Sequence, residues 1–424
     1  MLATDPHLTG APMHVGMITQ WYDPEPGPAA LPGALARGLV ERGHEVTVLT
    51  GFPNYPTGEI APGYSQRPFL REERDGVHVV RTPLYANHDA SALRRILNYA
   101  SFGASSAALG AHSLRSADVL YVNYSPITTA LPMWAAQAWS GAPVVLDVAD
   151  LWPDTMLAAG LGGGATLTRG AGALLHAWCN AMYSSASSVA HISRGVGDVL
   201  AERGVPRSKL AYVPKWANDE THRSAGRSMR SQLGIDEESI VLVYAESLGQ
   251  AQGLGSLIEA MRQVQDLPVT CLIAGSGTAE GDLRAASADL PNVRFLGRLA
   301  PSQMPDLMAT ADLSYVSLSD DGLAPITMPS KTQASMAAGV PLLASAPGDL
   351  ATLVSEKGLG FVAAPGQPAA TAEALRQAAQ QGRTSLQDLA LHVRRVYDAE
   401  FSIAAGVERY EALMTEAVQR RNRG

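Results

Sequence analysis

The chain of 424 residues is poor in cysteine, lysine and long apolar runs, and each shortage narrows what it does. Its two cysteines, Cys179 and Cys271, lie far apart with no CxxC. That excludes a disulfide framework and a cysteine-rich metal site, and it suits a reducing cytoplasm. None of the ten histidines pairs with another at ligand spacing, so no structural zinc or other bound metal is expected. A formal net charge of −8 argues against an electrostatic nucleic-acid footprint. No uninterrupted apolar run reaches the roughly 18–20 residues of a membrane-spanning helix. The opening residues, MLATDPHLTGAPM, carry neither a basic start nor an apolar stretch, so no signal peptide is expected. These absences predict a cytoplasmic protein, soluble or at most peripheral at the inner face of the plasma membrane. Lysine is the scarcest of the charged residues: Lys209, Lys215, Lys331 and Lys357 stand against 28 arginines.

What is present is a repeated alternation of short apolar runs and amphipathic segments. MHVGMIT (Met13–Thr19) has strand length, a Pro/Gly loop follows, and an amphipathic segment at Leu31–Arg42 stops at Gly43. EVTVLT (Glu45–Thr50) is β-branched, so these pieces make a βαβ unit, the building block of a parallel sheet. The alternation continues through His78–Leu84, a helix over Ser91–Leu114, Val119–Tyr124, Val144–Asp150, Ser188–Ser193 and Leu210–Pro214. It restarts at Ile240–Ser247 and runs on through VTCLIAGSG, NVRFLG, LSYVSL and PLLAS. The pattern predicts an α/β protein of two successive doubly wound domains, 1–216 and 217–400, with a hinge near residues 216–222. The segment 401–424 has helical periodicity, and as a terminal helix it either lies on the surface or packs back on the first domain.

Ligands of open parallel sheets bind beyond the carboxyl ends of the strands, so the loops after strands carry the candidates. In DPEPGPAA (Asp23–Ala30), Gly27 would let backbone approach an anion at the following helix, or it serves the turn alone. AGSG (Ala274–Gly277) follows an apolar strand; such a turn either accepts a flat base or sugar or simply reverses the chain. PSKT (Pro329–Thr332) opens a helix, with Ser330 as the expected cap and Lys331 in the first turn. A cation there opposes the helix dipole, and a bound phosphate would reverse that penalty. DVADLWPDT (Asp147–Thr155) places Asp150 at a strand end, where it could polarise an acceptor hydroxyl or cap a helix. GFPNYPTGE (Gly51–Glu59) is aromatic, Pro-rich and longer than a connector needs to be. Arg94 and Arg95 flank Leu93, Ile96, Leu97, Tyr99 and Phe102, as on a helix that rests on an anionic membrane or holds a lipid diphosphate, although a core helix has the same spacing. Asp320 and Asp321 are adjacent but lack a third carboxylate, and read as loop residues.

Taken in order, these pieces resemble the family-4 retaining glycosyltransferases of GT-B type, and most closely the bacterial branch that builds O-antigen, capsule and exopolysaccharide, fucosamine transferases included. The residues that carry the resemblance are HEVTVLTGFPNYPTG (His44–Gly58), RRILNY (Arg94–Tyr99), DLWPD (Asp150–Asp154), AQGLGSLIEA (Ala251–Ala260), AGSG, NVRFLGRL (Asn292–Leu299), and PSKT with AAGVPLLAS (Ala337–Ser345). The resemblance implies two Rossmann-like domains facing across a cleft: an acceptor-binding one over 1–216 and a nucleotide-sugar-binding one over 217–400, with 401–424 packing back toward the first. It implies a nucleotide-sugar co-substrate, UDP being the expected nucleotide, and no other cofactor. Phe295, Leu296 and the turn Gly275, Ser276, Gly277 would face the base. Ser330, Lys331, Thr332, Ser247, Gly249 and Gln252 would lie near the diphosphate, with Arg298 close by and Gly27 approaching from the first domain. Asp150 and Lys331 would be catalytic, and Asn54, Tyr55, Arg94, Arg95 and Trp152 would face a glycan or lipid-linked glycan acceptor. Such enzymes react on the donor's front face, so leaving-group stabilisation is the main task of the protein. Four departures from the family pattern stand out. Ala334 replaces the Glu that grips the donor ribose, Ile326 stands at the earlier Glu of that pair, Ser247 and Gln252 replace an Arg and a Lys, and Glu246 stands where Gly is usual. A soluble acceptor, or a degenerate protein that only binds, are the alternatives these leave.

Overall fold

The computed structural model describes residues 11–26, 31–88, 91–155, 165–219, 223, 225–249, 252–320 and 322–423. The chain divides into two compact units, one made of 1–192, 196–213 and 406–424, the other of 193–195 and 214–405.

The first unit is built on an eight-stranded sheet of β1 (His14–Ile18), β2 (Glu45–Gly51), β3 (Leu70–Arg74), β4 (Val77–Thr82), β5 (Val119–Asn123), β6 (Val144–Val148), β7 (Ser188–His191) and β8 (Leu210–Tyr212). The spatial order is β3-β4-β2-β1-β5-β6-β7-β8, parallel throughout except for β3. Strands such as VVLDV in β6 are buried at every residue, because a parallel strand is covered on both faces. Edge strand β3 was not expected. LREER is charged and alternates in burial, which suits an edge, and it pairs with β4 through the tight turn Asp75–Gly76, both at positive φ. The helix expected over Ser91–Leu114 is regular only over Ala92–Ser105; a π-helical turn (Ser106–Gly110) and a 3-10 turn (Ala111–Leu114) follow. There Gly110 lies so close to Leu49 that an added Cβ would sit 2.3 Å from its Cδ1, and Ser106 bonds Thr82 at 2.7 Å. The backbone leaves α-helical winding where it is pressed onto the sheet. The final helix, Ile403–Arg423, meets the first unit through two polar knots. Tyr410 and Tyr121 donate to the buried Asp147 at 2.8 and 2.5 Å, and Glu411 bonds Arg42 at 2.5 Å and His44 at 3.0 Å.

The second unit has six parallel strands: β9 (Ile240–Ala245), β10 (Val269–Ala274), β11 (Val293–Gly297), β12 (Leu313–Ser317), β13 (Leu342–Ser345) and β14 (Gly360–Ala363). Their order is β11-β10-β9-β12-β13-β14. The chain steps outward from β9 to β11, then crosses back to place β12 on the other side of β9. The carboxyl ends of β9 and β12 therefore flank a topological switch point, the place where such sheets open a crevice. In the first unit β1 and β5 stand in the same relation. No helix among the described residues is long and apolar enough to cross a membrane.

Candidate functional site

At the switch point of the second unit, β9 ends in the buried Tyr244 and then Ala245, and the chain continues into exposed Glu246 and Ser247. Opposite them starts the helix Ser330–Ala337. Its cap is Pro329, with φ −63° and ψ 135°, and not Ser330, which is the first helical residue and is exposed. Lys331 in the first turn reaches back so that its Nζ lies 2.5 Å from Glu246 Oε2 and 4.6 Å from the centre of the Tyr244 ring. Only 12% of the Lys331 side chain is exposed, against 39% of Glu246. Burial lowers the Lys331 pKa, and the Glu246 carboxylate opposes that shift. The Tyr244 hydroxyl lies 3.0 Å from Ser247 O and 3.4 Å from Glu246 Oε2, and burial followed by the Glu246 charge raises its pKa. A cation that a helix N-terminus disfavours is thus tolerated beside a carboxylate and an aromatic face.

The small-residue turn after β10 is fixed by the loop after β9. Gly275 has φ +143°, and an added Cβ would lie 1.9 Å from Glu246 O. At Gly277 it would lie 2.4 Å from Leu248 O, while Leu248 N donates to Ser276 O at 3.0 Å. Both glycines are therefore required by the approach of two loops, which leaves Ser276 exposed beside them. Gly249 abuts Gln252, whose backbone O accepts from Ser317 Oγ at 2.7 Å. That bond ties the loop after β9 to the end of β12. The buried Oε1 of Gln252 has no hydrogen-bond partner among the described residues.

Three of the expected ligand contacts are placed differently by the fold. Thr332, one residue beyond Lys331, turns into the core and is fully buried, so its hydroxyl does not reach a ligand. Phe295 and Leu296 alternate across the edge strand β11 and pack into clusters on opposite sides of the sheet, so the two side chains do not face one base. Phe295 carries the Arg284 guanidinium at 4.5 Å instead. Arg298 is exposed just beyond β11. Gly27 lies outside the described residues.

In the first unit Trp152, Arg95 and Asp150 act on Tyr99, while Asn54, Tyr55 and Arg94 lie elsewhere. The Tyr99 ring meets Trp21 and Trp152 edge-on at 6.1 and 6.0 Å. Burial raises the Tyr99 pKa, Arg95 opposes the shift and Asp150 adds to it, so both charges act on this phenol. Asp150 is exposed and accepts from Ser125 Oγ at 3.4 Å, which joins the loops after β5 and β6. Trp152 O accepts from Arg203 at 2.9 Å and from the Tyr124 hydroxyl at 3.2 Å, and Arg203 also pairs with Asp154. Arg203 and Tyr124 thus hold the DLWPD segment, a role invisible in its sequence. Asn54 is buried, with its amide spent on Phe52 O and Asn98, so it supports its loop from within. Beneath that loop the buried Glu25 carboxylate accepts from the backbone N–H groups of Tyr22, Asn54 and Tyr55 at 3.0, 2.8 and 2.9 Å. Burial raises the Glu25 pKa against these bonds. Tyr55 stays half-exposed, edge-on to His88 at 5.0 Å. Arg94 is exposed on a helix face with Leu93, Ile96 and Leu97, themselves 67%, 45% and 47% exposed.

Residues 27–216 match the family described as glycosyl transferase 4-like domain, and residues 239–381 match glycosyl transferases group 1. WcaI of Escherichia coli K12, a glycosyl transferase whose name assigns it to colanic acid biosynthesis, is 28% identical over 345 residues, 79% of each chain. WbjE of Pseudomonas aeruginosa, named as a glycosyltransferase, is 23% identical over 306 residues, 70% of this chain and 74% of its own. The fold matches the crystal structure of HepE from Anabaena in complex with UDP and glucose, with a TM-score of 0.64 at 17% identity, covering 95% of this chain and all of that one. The two family matches together account for most of the chain, which is a glycosyltransferase of GT-B type related to a transferase named for colanic acid biosynthesis.

Proposed function

We propose that the chain is a retaining, metal-independent glycosyltransferase that moves a sugar from a nucleoside diphosphate, with UDP as the nucleotide, to a lipid-linked precursor of a cell-surface polysaccharide. The observation that carries this reading is Lys331, a largely buried lysine in the first turn of a helix at the switch point of the second unit. Helix N–H groups and an ammonium aimed at one spot are suited to a diphosphate. They would neutralise the charge that develops on the leaving phosphate as the anomeric C–O bond breaks, which is where a transferase with front-face attack needs help. UDP is the nucleotide bound to the structural neighbour HepE, and it supports that choice here.

Ser276, Ser247, Gly249, Gln252 and Ser330 line the same end of the sheet and are proposed to hold the donor, with Arg298 nearby. In the first unit, Asp150 would orient or polarise the acceptor hydroxyl, with Trp152, Tyr55 and Arg95 around the acceptor. The exposed stripe of Leu93, Ile96 and Leu97 beside Arg94 supports a lipid-linked acceptor and contact with an anionic cytoplasmic membrane face. A second reading, a degenerate protein that binds without transfer, is favoured by Ala334 and by the carboxylate already seated on Lys331. A thermal-shift titration against UDP-, GDP-, TDP- and ADP-sugars separates the two. A ligand at 100 times its Kd adds about 2.7 kcal/mol to stability, so a selective rise names the base. No rise with any of them would contradict the transferase reading.

A further inference from the structure

We infer that Glu246 is an exchangeable counter-ion: its carboxylate occupies on Lys331 the place that a donor phosphate takes, and it leaves for solvent when the diphosphate arrives. The inference rests on the reading of Lys331 as the cation of the donor site. The ion pair is direct, at 2.5 Å, and its two halves are unequally held. Lys331 is largely buried and fixed over the Tyr244 ring, whereas Glu246 is the more exposed partner on a loop residue. Of the two, Glu246 is the one that can move into water at little cost.

Its departure leaves no buried polar group stranded. The Tyr244 hydroxyl already has a nearer acceptor in Ser247 O, at 3.0 Å against 3.4 Å for the carboxylate. If Glu246 stayed, the diphosphate would meet a like charge in direct contact with its own cation. Exchange resolves the conflict: one anion replaces another on Lys331, and the buried ammonium is neutralised in both states. Two consequences follow. Any phosphate-bearing ligand must outcompete Glu246, so affinity is held below what the lysine alone would give. A ligand that brings no charge to Lys331 leaves the pair intact.

The test measures binding of UDP and of uridine to the wild type, Glu246→Gln and Lys331→Ala by titration calorimetry, with melting midpoints alongside. Glu246→Gln should bind UDP about three- to ten-fold more tightly, the worth of a partly exposed ion pair, and uridine unchanged. Its unliganded midpoint should fall while the rise caused by UDP grows, a combination that a merely structural ion pair does not produce. UDP affinity unchanged or weakened in Glu246→Gln, with Lys331→Ala impaired, overturns the counter-ion and leaves the diphosphate site standing. Equal tightening of uridine also overturns the exchange. Wild-type UDP affinity in Lys331→Ala, or no UDP binding by any of the three proteins, overturns both readings.

Discussion

Gly275→Ala tests whether the two loops of the second unit are locked together as the structure has them. An alanine there adopts φ +143°, which L residues rarely do, at about 1–3 kcal/mol. Its Cβ would also sit 1.9 Å from Glu246 O, so the loop after β9 must retreat by about 1 Å to reach even the tightest real contact. That retreat strains the bonds Leu248 N to Ser276 O and Ala279 N to Leu248 O, at 3.0 and 2.9 Å. Gly234→Ala is the control within the same unit: it too has positive φ, +60°, but open space around the new methyl. Overpacking and weakened hydrogen bonds should make Gly275→Ala less stable than the control by about 2–3 kcal/mol, a melting midpoint roughly 4–12 °C lower. Because the displaced loop carries Ser247 and Gly249, proposed to hold the donor, UDP affinity should fall in Gly275→Ala and hold in the control. Equal midpoints and equal UDP affinity in the two variants would refute the loop-on-loop account.

Asp150→Asn should lower turnover while leaving UDP affinity near wild type, measured by sugar transfer and titration; loss of nucleotide binding would instead make Asp150 a structural residue. Replacing Leu93, Ile96 and Leu97 together by Gln should weaken sedimentation with anionic vesicles several-fold without changing the melting midpoint, and unchanged sedimentation would remove that stripe from membrane contact. Tyr410→Phe leaves the buried Asp147 with one hydroxyl donor in place of two, and should destabilise the protein by about 1–3 kcal/mol in urea titration. Burial raises the thiol pKa of both cysteines, that of Cys271 to about 12. Both should therefore stay protonated at pH 8 and resist a disulfide reagent until the protein is unfolded.

Local pattern made most strands legible, because a strand of a parallel sheet is a short apolar run whatever its neighbours. It failed at the edges: LREER carries too much charge to read as a strand, and only the Asp75–Gly76 turn beside it signals a hairpin. In the site, Lys331 stood out as one of four lysines and Glu246 as an unexpected carboxylate, yet nothing in the sequence joined two residues so far apart. Helix phase explains Thr332: one residue is a turn of about 100° around the axis, enough to carry it from the crevice side into the core. Strand alternation explains Phe295 and Leu296 in the same way. The glycines of AGSG are required by a neighbouring loop, a partner that the sequence does not reveal. Glu25 and Arg203 went unseen because what they hold is backbone, which has no signature at the partner's position.

The most direct test of the account is the affinity of UDP for Lys331→Ala against the wild type. A charge-assisted bond to a diphosphate is worth about 1.5–3 kcal/mol, so binding should weaken roughly ten- to a hundred-fold while the variant stays folded. An unchanged dissociation constant in a folded Lys331→Ala protein would contradict the placing of the donor diphosphate at the switch point of the second unit.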